Sequence, residues 1–249
     1  MANQTRFNFE LCCFVGLEIL KMGVFIAFII ILLWAANLIS ALLFQQLSFS
    51  NGWMYVQIAI QTWLYTGLFI TAHDAMHRTV SSSAFLNTAI GSACTFLFAG
   101  LWYPKLYVKH QLHHAYAGTA PDPDYKTGNQ QFFRWWFSFL KQYVTVWQIL
   151  TMAVLFNILM LWFDQWSLIM FWVIPSLLAT FQLFYFGTYL PHKLPHTPEM
   201  EPYKSRTLKP NHLVALLTCY FFGYHYEHHD SPQTPWWQLY KIKNSTLNH

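Results

Sequence analysis

The chain has very few charged residues. Asp, Glu, Lys and Arg make up 10% of its 249 residues, against roughly 25% in a soluble domain, while hydrophobic residues make up 55%. No charged residue occurs between Lys21 and Asp74. A stretch of this length is not that of an ordinary soluble domain, and it is long enough for two membrane spans of about 20 residues each.

The chain also lacks the motifs of several other protein classes. It contains no G-x-G-x-x-G dinucleotide fingerprint, no Gly-Ser linker and no repeat at a fixed period. Its four cysteines show no paired metal spacing, so we expect them to be reduced and structural. We therefore predict a single domain over residues 1–249 that takes electrons from a separate donor and binds no nucleic acid.

Apolar stretches predict four membrane spans in two hairpins. Because the first is too long for a signal peptide and no cleavage site follows it, we expect it to be retained. All 14 Lys and Arg residues lie at the N-terminus or after spans two and four, which places both termini in the cytoplasm. The predicted fold is all-α, a multi-pass helical bundle in the membrane. The spans are Gly23 to Phe44, Trp53 to Thr71, Val144 to Phe163 and Trp166 to Leu190.

Eight of the twelve histidines form three tight boxes. Residues three and four apart share one face of a helix, so each box directs two or three imidazoles toward one point. Eight imidazoles exceed the four or so ligands of a zinc ion, and no box contains a cysteine. Two metal ions, best suited to non-haem iron, are therefore predicted. Box one is His73 and His77; box two is His110, His113 and His114; box three is His225, His228 and His229.

The apolar stretch from Ala84 to Tyr103 decides whether the boxes can meet. If it crossed the membrane, box two would lie on the opposite side from box one, and a shared metal site would be impossible. We therefore predict that it dips into the membrane or lies along the interface. The alternative is five spans with no shared site. A further apolar stretch, Leu213 to Gly223, is too short to span.

Several acidic residues lie in or beside the boxes. Asp74, inside box one, could hold the second nitrogen of an imidazole, or it could be a solvated residue at the membrane boundary. Asp122 and Asp124 follow box two in a turn-like segment, and either turn chemistry or contact with the metal-binding histidines could explain them. These three are the catalytic candidates. Glu227 and Asp230 are expected to be solvated.

Four segments of the sequence resemble a known family. From about Gly23 to Leu239 the chain resembles the bacterial and cyanobacterial β-carotene ketolases, a branch of the membrane fatty-acid desaturase and hydroxylase superfamily. The most specific features are HDAMH, the DPDY after box two, and the HH-x2-P-x2-PWW ending of box three. The segments are LYTGLFITAHDAMH, KHQLHHAYAGTAPDPDY, FQLFYFGTYLPHK and CYFFGYHYEHHDSPQTPWWQL.

This resemblance implies a di-iron monooxygenase that uses O2 and reductant to oxidise C4 of a β-ionone ring to a ketone. The family reaction is similar to two successive hydroxylations, after which the gem-diol loses water. β-Carotene, or zeaxanthin, would be the substrate, and a ferredoxin-type protein the electron donor. The resemblance also implies that His192 is a ninth ligand and that Asp74 delivers protons. The active site would face the cytoplasm of a bacterial inner or cyanobacterial membrane.

Other functions remain open on the sequence alone. Carotenoid hydroxylation or fatty-acyl desaturation could use the same scaffold, although the DPDY and PWW contexts argue against the acyl reaction. A membrane metal carrier or sensor would need polar residues along a path through the bilayer, whereas these histidines cluster at one face. A basic group comprising Lys204, Arg206 and Lys209 could dock an acidic partner or lipid headgroups.

Overall fold

The computed structural model describes residues 2–208 and 211–247, which form helices joined by turns and loops, and side chains are described for residues 22–208 and 211–243. No β-strand occurs in these ranges, which confirms the all-α prediction. Two short 3-10 turns, Pro198–Met200 and Trp236–Gln238, accompany the helices. The helices are α1 (Ala2–Phe44), α2 (Gly52–Met76), α3 (Ala84–Ala99), α4 (Tyr103–Tyr116), α5 (Phe132–Tyr143), α6 (Val146–Leu159), α7 (Gln165–His192), α8 (His212–Cys219), α9 (His225–Asp230) and α10 (Leu239–Leu247).

Among the residues that the structure describes, two helical segments are long and apolar enough to cross a membrane, Met22–Phe44 and Gln165–His192. They correspond to the first and fourth predicted spans. Two bent pairs, α3 with α4 at 100° and α5 with α6 at 86°, would raise the number to four if each pair is one span. The third predicted span is shorter than expected: α6 has 14 residues. At 1.5 Å per residue it covers about 21 Å of a hydrocarbon core about 30 Å thick.

Helices α1 and α2 form a hairpin with polar contacts between them. Asn51 caps the start of α2, where its side chain accepts the backbone N–H of Trp53 at 3.0 Å. Further along, Asn37 Nδ2 donates to Gln61 Oε1 at 2.6 Å. Pairing matters because a buried amide without a partner is costly. Buried amide side chains lower the hydropathy of α2. This agrees with the finding that α2 is not among the helices apolar enough to cross a membrane.

Helix α3 runs back along α2 and stops halfway. Phe98, close to its C-terminus, packs edge-on against Tyr65 in the middle of α2, with 5.9 Å between ring centroids. Gly100 then ends the helix with φ 64°, a left-handed conformation that glycine adopts without strain. Helix α4 leaves at 100° and carries box two toward the box-one end of α2. This geometry is the one expected if Ala84 to Tyr103 does not cross the membrane.

Helix α7 contains two π-helical segments, Ile169–Val173 and Tyr185–Tyr189. Pro175 lies two residues after the end of the first segment. Such widened turns accommodate a residue that cannot donate a backbone hydrogen bond. The second segment contains Gly187, where a Cβ would lie 2.5 Å from the ring of Phe222. The absence of a side chain at this position therefore lets Phe222 approach α7 closely.

Candidate metal centre

Nine histidines converge at one end of the helix bundle. Box one ends α2, box two lies on α4, box three forms α9, and His192 ends α7. In each of two groups, all potential ligand atoms lie within 4.8 Å of one another. The structure therefore brings together all nine predicted ligands. The first group is His73, His77, His110, His114 and His228, and the second is His113, His192, His225 and His229.

A sharp turn places box three opposite the other boxes. Between α8 and α9, Tyr220 and Phe221 have φ values of 49° and 61°. Residues other than glycine seldom adopt this left-handed region, so packing must hold the turn. Both rings contact Trp236, with centroids 5.0 and 6.3 Å from it. The aromatic residues around box three therefore serve to fix the chain path at the site.

Within each group, imidazole Nε2 atoms face one another. The Nε2 atoms of His77 and His110 are 2.6 Å apart in the first group. In the second group, His229 Nε2 lies 3.1 Å from His225 Nε2 and 3.2 Å from His113 Nε2. Two nitrogens that bind one ion at right angles, each about 2.1 Å from it, would be about 3 Å apart. Each group therefore has the spacing of ligands that share one metal ion.

Buried ring nitrogens without partners also fit a metal. Among the described residues, neither nitrogen of His73 has a hydrogen-bond partner, and His192 Nε2 has none. A buried polar group left in this state costs about 1–3 kcal/mol. A metal ion would satisfy the lone pairs of these nitrogens. An all-imidazole set without thiolate suits iron among the common protein metals, although zinc and copper also accept imidazole.

Burial keeps most of these imidazoles neutral. It lowers the pKa of His77 to about 4 and that of His114 to about 2, and neighbouring histidines add to the effect. Burial also lowers the pKa values of His110 and His225 well below the usual range. Neutral imidazole is the form that binds a metal, so no proton has to leave these side chains first.

His113 is the exception, because a carboxylate faces its Nδ1 atom. Both carboxylate oxygens of Asp122 lie 3.0 Å from this nitrogen. Burial by itself would lower the pKa of His113, but Asp122 reverses the effect and raises it. Asp122 in turn accepts the backbone N–H groups of Gly118 and Asp124 at 2.9 and 2.8 Å. With Nδ1–H donated to Asp122, Nε2 of His113 is free to face the second group.

Asp124 lies at the edge of the same site. Its Oδ2 is 3.8 Å from His113 Nδ1, and the hydroxyl of Tyr143 donates to its carboxylate. The indole N–H of Trp135 donates to its backbone carbonyl at 2.7 Å. Burial raises the pKa of Asp124 to about 6. The sequence did not identify Tyr143, because nothing in the aromatic segment distinguishes it from its neighbours.

Asp74 is buried but does not hold an imidazole. Its Oδ1 lies 3.6 Å from His73 Nδ1, beyond hydrogen-bond distance. Its Oδ2 accepts the backbone N–H of Trp236 at 3.0 Å. Asp74 is only 3% exposed, so it is not a solvated boundary residue. It instead ties box one to the segment that follows box three.

The prediction that Glu227 is solvated is wrong. This residue is 4% exposed, and its Oε1 lies 3.1 Å from Lys243 Nζ. The hydroxyl of Thr207 donates to its Oε2. The buried carboxylate is thus paired with a cation from α10. Asp230 is exposed, as predicted, and accepts the hydroxyl of Tyr203 at 3.3 Å.

The predicted basic group is partly committed to internal contacts. Lys204 Nζ lies 3.0 Å from Glu201 Oε1, and Arg206 Nη2 donates to the Lys193 carbonyl at 2.6 Å. Lys209 lies outside the described residues. Lys204 and Arg206 therefore help to hold the loop after α7.

A mostly apolar cavity of about 220 Å³ ends on the histidines. Its walls come from α2, α3, α5 and α7, with side chains such as Phe69, Phe139 and Leu183. Both histidine groups line it, so one bound molecule could contact the whole centre. The lining histidines are His73, His110, His113 and His225.

Phe222 contacts one histidine of each group at the end of the cavity. Its ring centroid lies 4.8 Å from that of His73 and 5.1 Å from that of His225. The close approach at Gly187 allows this position. The sequence did not single out Phe222, one of 23 phenylalanines in the chain.

Comparison with known proteins identifies the family. Residues 50–151 and 140–245 match the fatty acid desaturase family. The chain belongs to the fatty acid desaturase family. This family member is 40% identical over 188 residues to a beta-carotene ketolase of Paracoccus sp. strain PC1, covering 74% of this chain and 76% of the relative. It is 42% identical over 181 residues to the beta-carotene ketolase of Paracoccus sp. strain N81106, covering 72% and 74%.

The desaturase-family protein also resembles an algal ketolase. It is 36% identical over 235 residues to the zeaxanthin 4-ketolase of Chlamydomonas reinhardtii, covering 89% of this chain and 53% of the relative. Within the desaturase family, this protein therefore belongs to the branch that contains the β-carotene ketolases. The resemblance expected from the sequence motifs is confirmed.

Proposed function

We propose that this protein is a β-carotene ketolase, which oxidises the C4 methylene of a β-ionone ring to a ketone and yields echinenone and canthaxanthin. Identities of 36–42% to curated ketolases support this assignment. The structural observation that carries it is the apolar cavity that ends on histidines of both groups. A hydrocarbon ring fits such walls, and a polar substrate would leave its polar groups unpaired there.

The nine histidines would hold two iron ions, one in each group. When bound, the iron supplies the oxidising power that activates O2 and attacks a C–H bond, which protein side chains cannot supply. Asp122 orients His113, and Asp74 joins box one to the segment after box three. Electrons come from an external donor, for which a ferredoxin-type protein is our proposal.

The walls of the cavity bind and orient the ring. Phe69 and Leu183 offer apolar surface, and the tightly packed end at Phe222 keeps water from the reacting carbon. Leu177 lines the cavity and is also 52% exposed on the outer surface of α7. A carotenoid dissolved in lipid can therefore enter from the apolar surface of the bundle.

Two polar side chains bring a proton to this apolar wall. Asp124 and Tyr143 both line the cavity and are hydrogen-bonded to each other. Because the pKa of Asp124 is raised to about 6, its carboxylate can hold or release a proton near neutral pH. We assign these residues to proton handling beside the reacting carbon. Asp122 positions His113 and takes no direct part.

The membrane arrangement we propose has four spans, with α3 dipping in without crossing. Helices α1 and α7 supply two spans, α2 supplies the third beside α1, and α6, which turns away from α5 by 86°, supplies the fourth. The site lies at the cytoplasmic side of a bacterial inner or cyanobacterial membrane. Support comes from the positions of the Lys and Arg residues, none of which lies in residues 45–52 or 164–165, the turns within the two predicted hairpins.

Pigment analysis in a bacterial host that makes β-carotene tests the activity. Iron-replete, aerobic cells that express the protein should accumulate echinenone and canthaxanthin. The variant His228→Ala should abolish both pigments, whereas His212→Asn, outside both groups, should retain them. Hydroxylated carotenoids as the only products would identify a hydroxylase, and altered acyl chains a desaturase. Absence of keto products with well-expressed protein would overturn the proposal.

A further inference from the structure

Helix α5 has two faces with different surroundings. Trp135 and Trp136 are buried, and Phe139 and Tyr143 line the cavity. On another face, Arg134, Ser138 and Lys141 follow at intervals of four and three residues, the spacing of one helical surface. The helix therefore joins the wall of the cavity to a basic outer surface.

The outer face of α5 borders a polar pocket. Lys126, Arg134 and Lys141 line it together with Ser138 and Phe137, and no Asp or Glu is among its lining residues. In the described part of the chain, none of these three cations forms an ion pair. Three unpaired positive charges around one pocket repel one another, so an anion would be bound favourably there.

The surroundings of this pocket are those of a membrane interface. Phe133 and Phe137 are exposed on α5, and Trp147 is exposed in the first turn of α6. Helix α6, whose exposed side chains are apolar except for Asn157, leaves α5 at a bend of 86°. If α6 enters the apolar layer, α5 lies along its surface. Aromatic residues beside cations are typical of helices in this position.

We propose that the pocket formed by Lys126, Arg134 and Lys141 binds the phosphate of an anionic phospholipid, with Phe137 against its acyl chains. A soluble acidic protein is a poorer match, because the exposed aromatic residues would lie in its interface with water. The inference goes beyond the proposed activity and depends only on the membrane placement of α5 and α6. The bound lipid holds α5, and with it one wall of the cavity, at the membrane surface.

Native mass spectrometry of the detergent-purified full chain tests this site. After incubation with equal amounts of phosphatidylglycerol and phosphatidylcholine, the wild-type protein should retain one phosphatidylglycerol. The variant Arg134→Gln/Lys141→Gln should bind it about 25-fold more weakly, since each cation near an anionic headgroup contributes roughly fivefold. The control Lys105→Gln/Lys241→Gln removes the same charge elsewhere and should bind as the wild type does.

Further measurements distinguish a bound lipid from other molecules that could occupy the pocket. Excess inorganic phosphate should not displace the lipid; displacement would indicate a free-anion site and overturn the lipid assignment. Equal retention of the two lipids, or unchanged binding in the double variant, would also overturn it. If the double variant keeps its lipid but is reduced more slowly by the donor protein, the surface docks a protein instead. Unchanged iron content and melting temperature would show that the variant is folded.

Discussion

Asp122 and His113 form a buried contact that links the turn after box two to the second histidine group. The two carboxylate oxygens lie 3.0 Å from Nδ1 of the imidazole, while Nε2 on its other side lies 3.2 Å from Nε2 of His229. Partners of this kind fix the orientation and tautomer of a metal-binding histidine. The turn that follows box two is therefore part of the metal centre.

Replacing Asp122 with Asn should weaken the centre without unfolding the protein. The amide loses the charge that stabilises Nδ1–H of His113, so we expect iron affinity or activity to fall by about ten- to a hundredfold. Iron content and keto-pigment yield measure the effect. Asp230→Asn, at an exposed carboxylate beside box three, is the matched control. Equal behaviour of the two variants would contradict the role of Asp122.

The ion pair between Glu227 and Lys243 should stabilise box three. Both side chains are largely buried, at 5% and 15% exposure. Lys243→Met leaves the Glu227 carboxylate without its cation, and we expect a loss of about 3 kcal/mol in the free energy of unfolding. Thermal denaturation in detergent measures it. Lys241→Met, on the exposed surface of the same helix, should have little effect; a similar loss in both variants would rule out a specific ion pair.

Removing His192 should affect the second group alone. His192→Ala deletes one of four imidazoles there and leaves the five of the first group intact. We expect the iron content to fall from about two per chain toward one, with loss of ketolase activity, since four or so ligands complete such a site. Metal analysis of purified protein checks this. Two irons and normal activity in the variant would remove His192 from the ligand set.

Narrowing the cavity should reduce activity without loss of metal. Thr180 lines the cavity on α7, whereas Leu178 on the same helix is exposed and does not. Thr180→Phe should lower the yield of keto pigment by roughly tenfold or more, because pockets of this kind discriminate by that amount per added group. Leu178→Phe should have no effect. Normal yield from Thr180→Phe would show that the ring binds elsewhere.

Much of the site could be predicted because helical spacing is local. Histidines three and four apart predict a shared face, and all three boxes do converge. The division between the groups could not be predicted. His113 and His114 are adjacent but belong to different groups, as do His228 and His229. Neighbouring helical residues point about 100° apart, so the arrangement of the other helices decides which group each joins.

Other features depend on contacts between distant parts of the chain. The sequence predicted a solvated Glu227 because the cation that pairs with it, Lys243, lies on a separate helix, and local spacing does not reveal this partner. The third span was predicted too long because hydropathy does not reveal that α6 ends at Leu159 and that the apolar residues 160–163 form a turn. Helix α3 does return along α2, as box two needs in order to reach box one, whereas the placement of Ala84 to Tyr103 in a membrane stays a prediction. The requirement that the histidine boxes meet can thus predict a chain path that hydropathy alone does not.

The most direct measurement combines chemistry and metal in one preparation. Detergent-purified protein is assayed with β-carotene, O2 and a reductant system, and its iron per chain is determined on the same sample. We predict echinenone and canthaxanthin as products, with about two irons per chain and no activity after iron is removed. Full ketolase activity in a sample with well under one iron per chain would contradict the di-iron centre, and absence of any keto product from the iron-loaded protein would contradict the ketolase assignment.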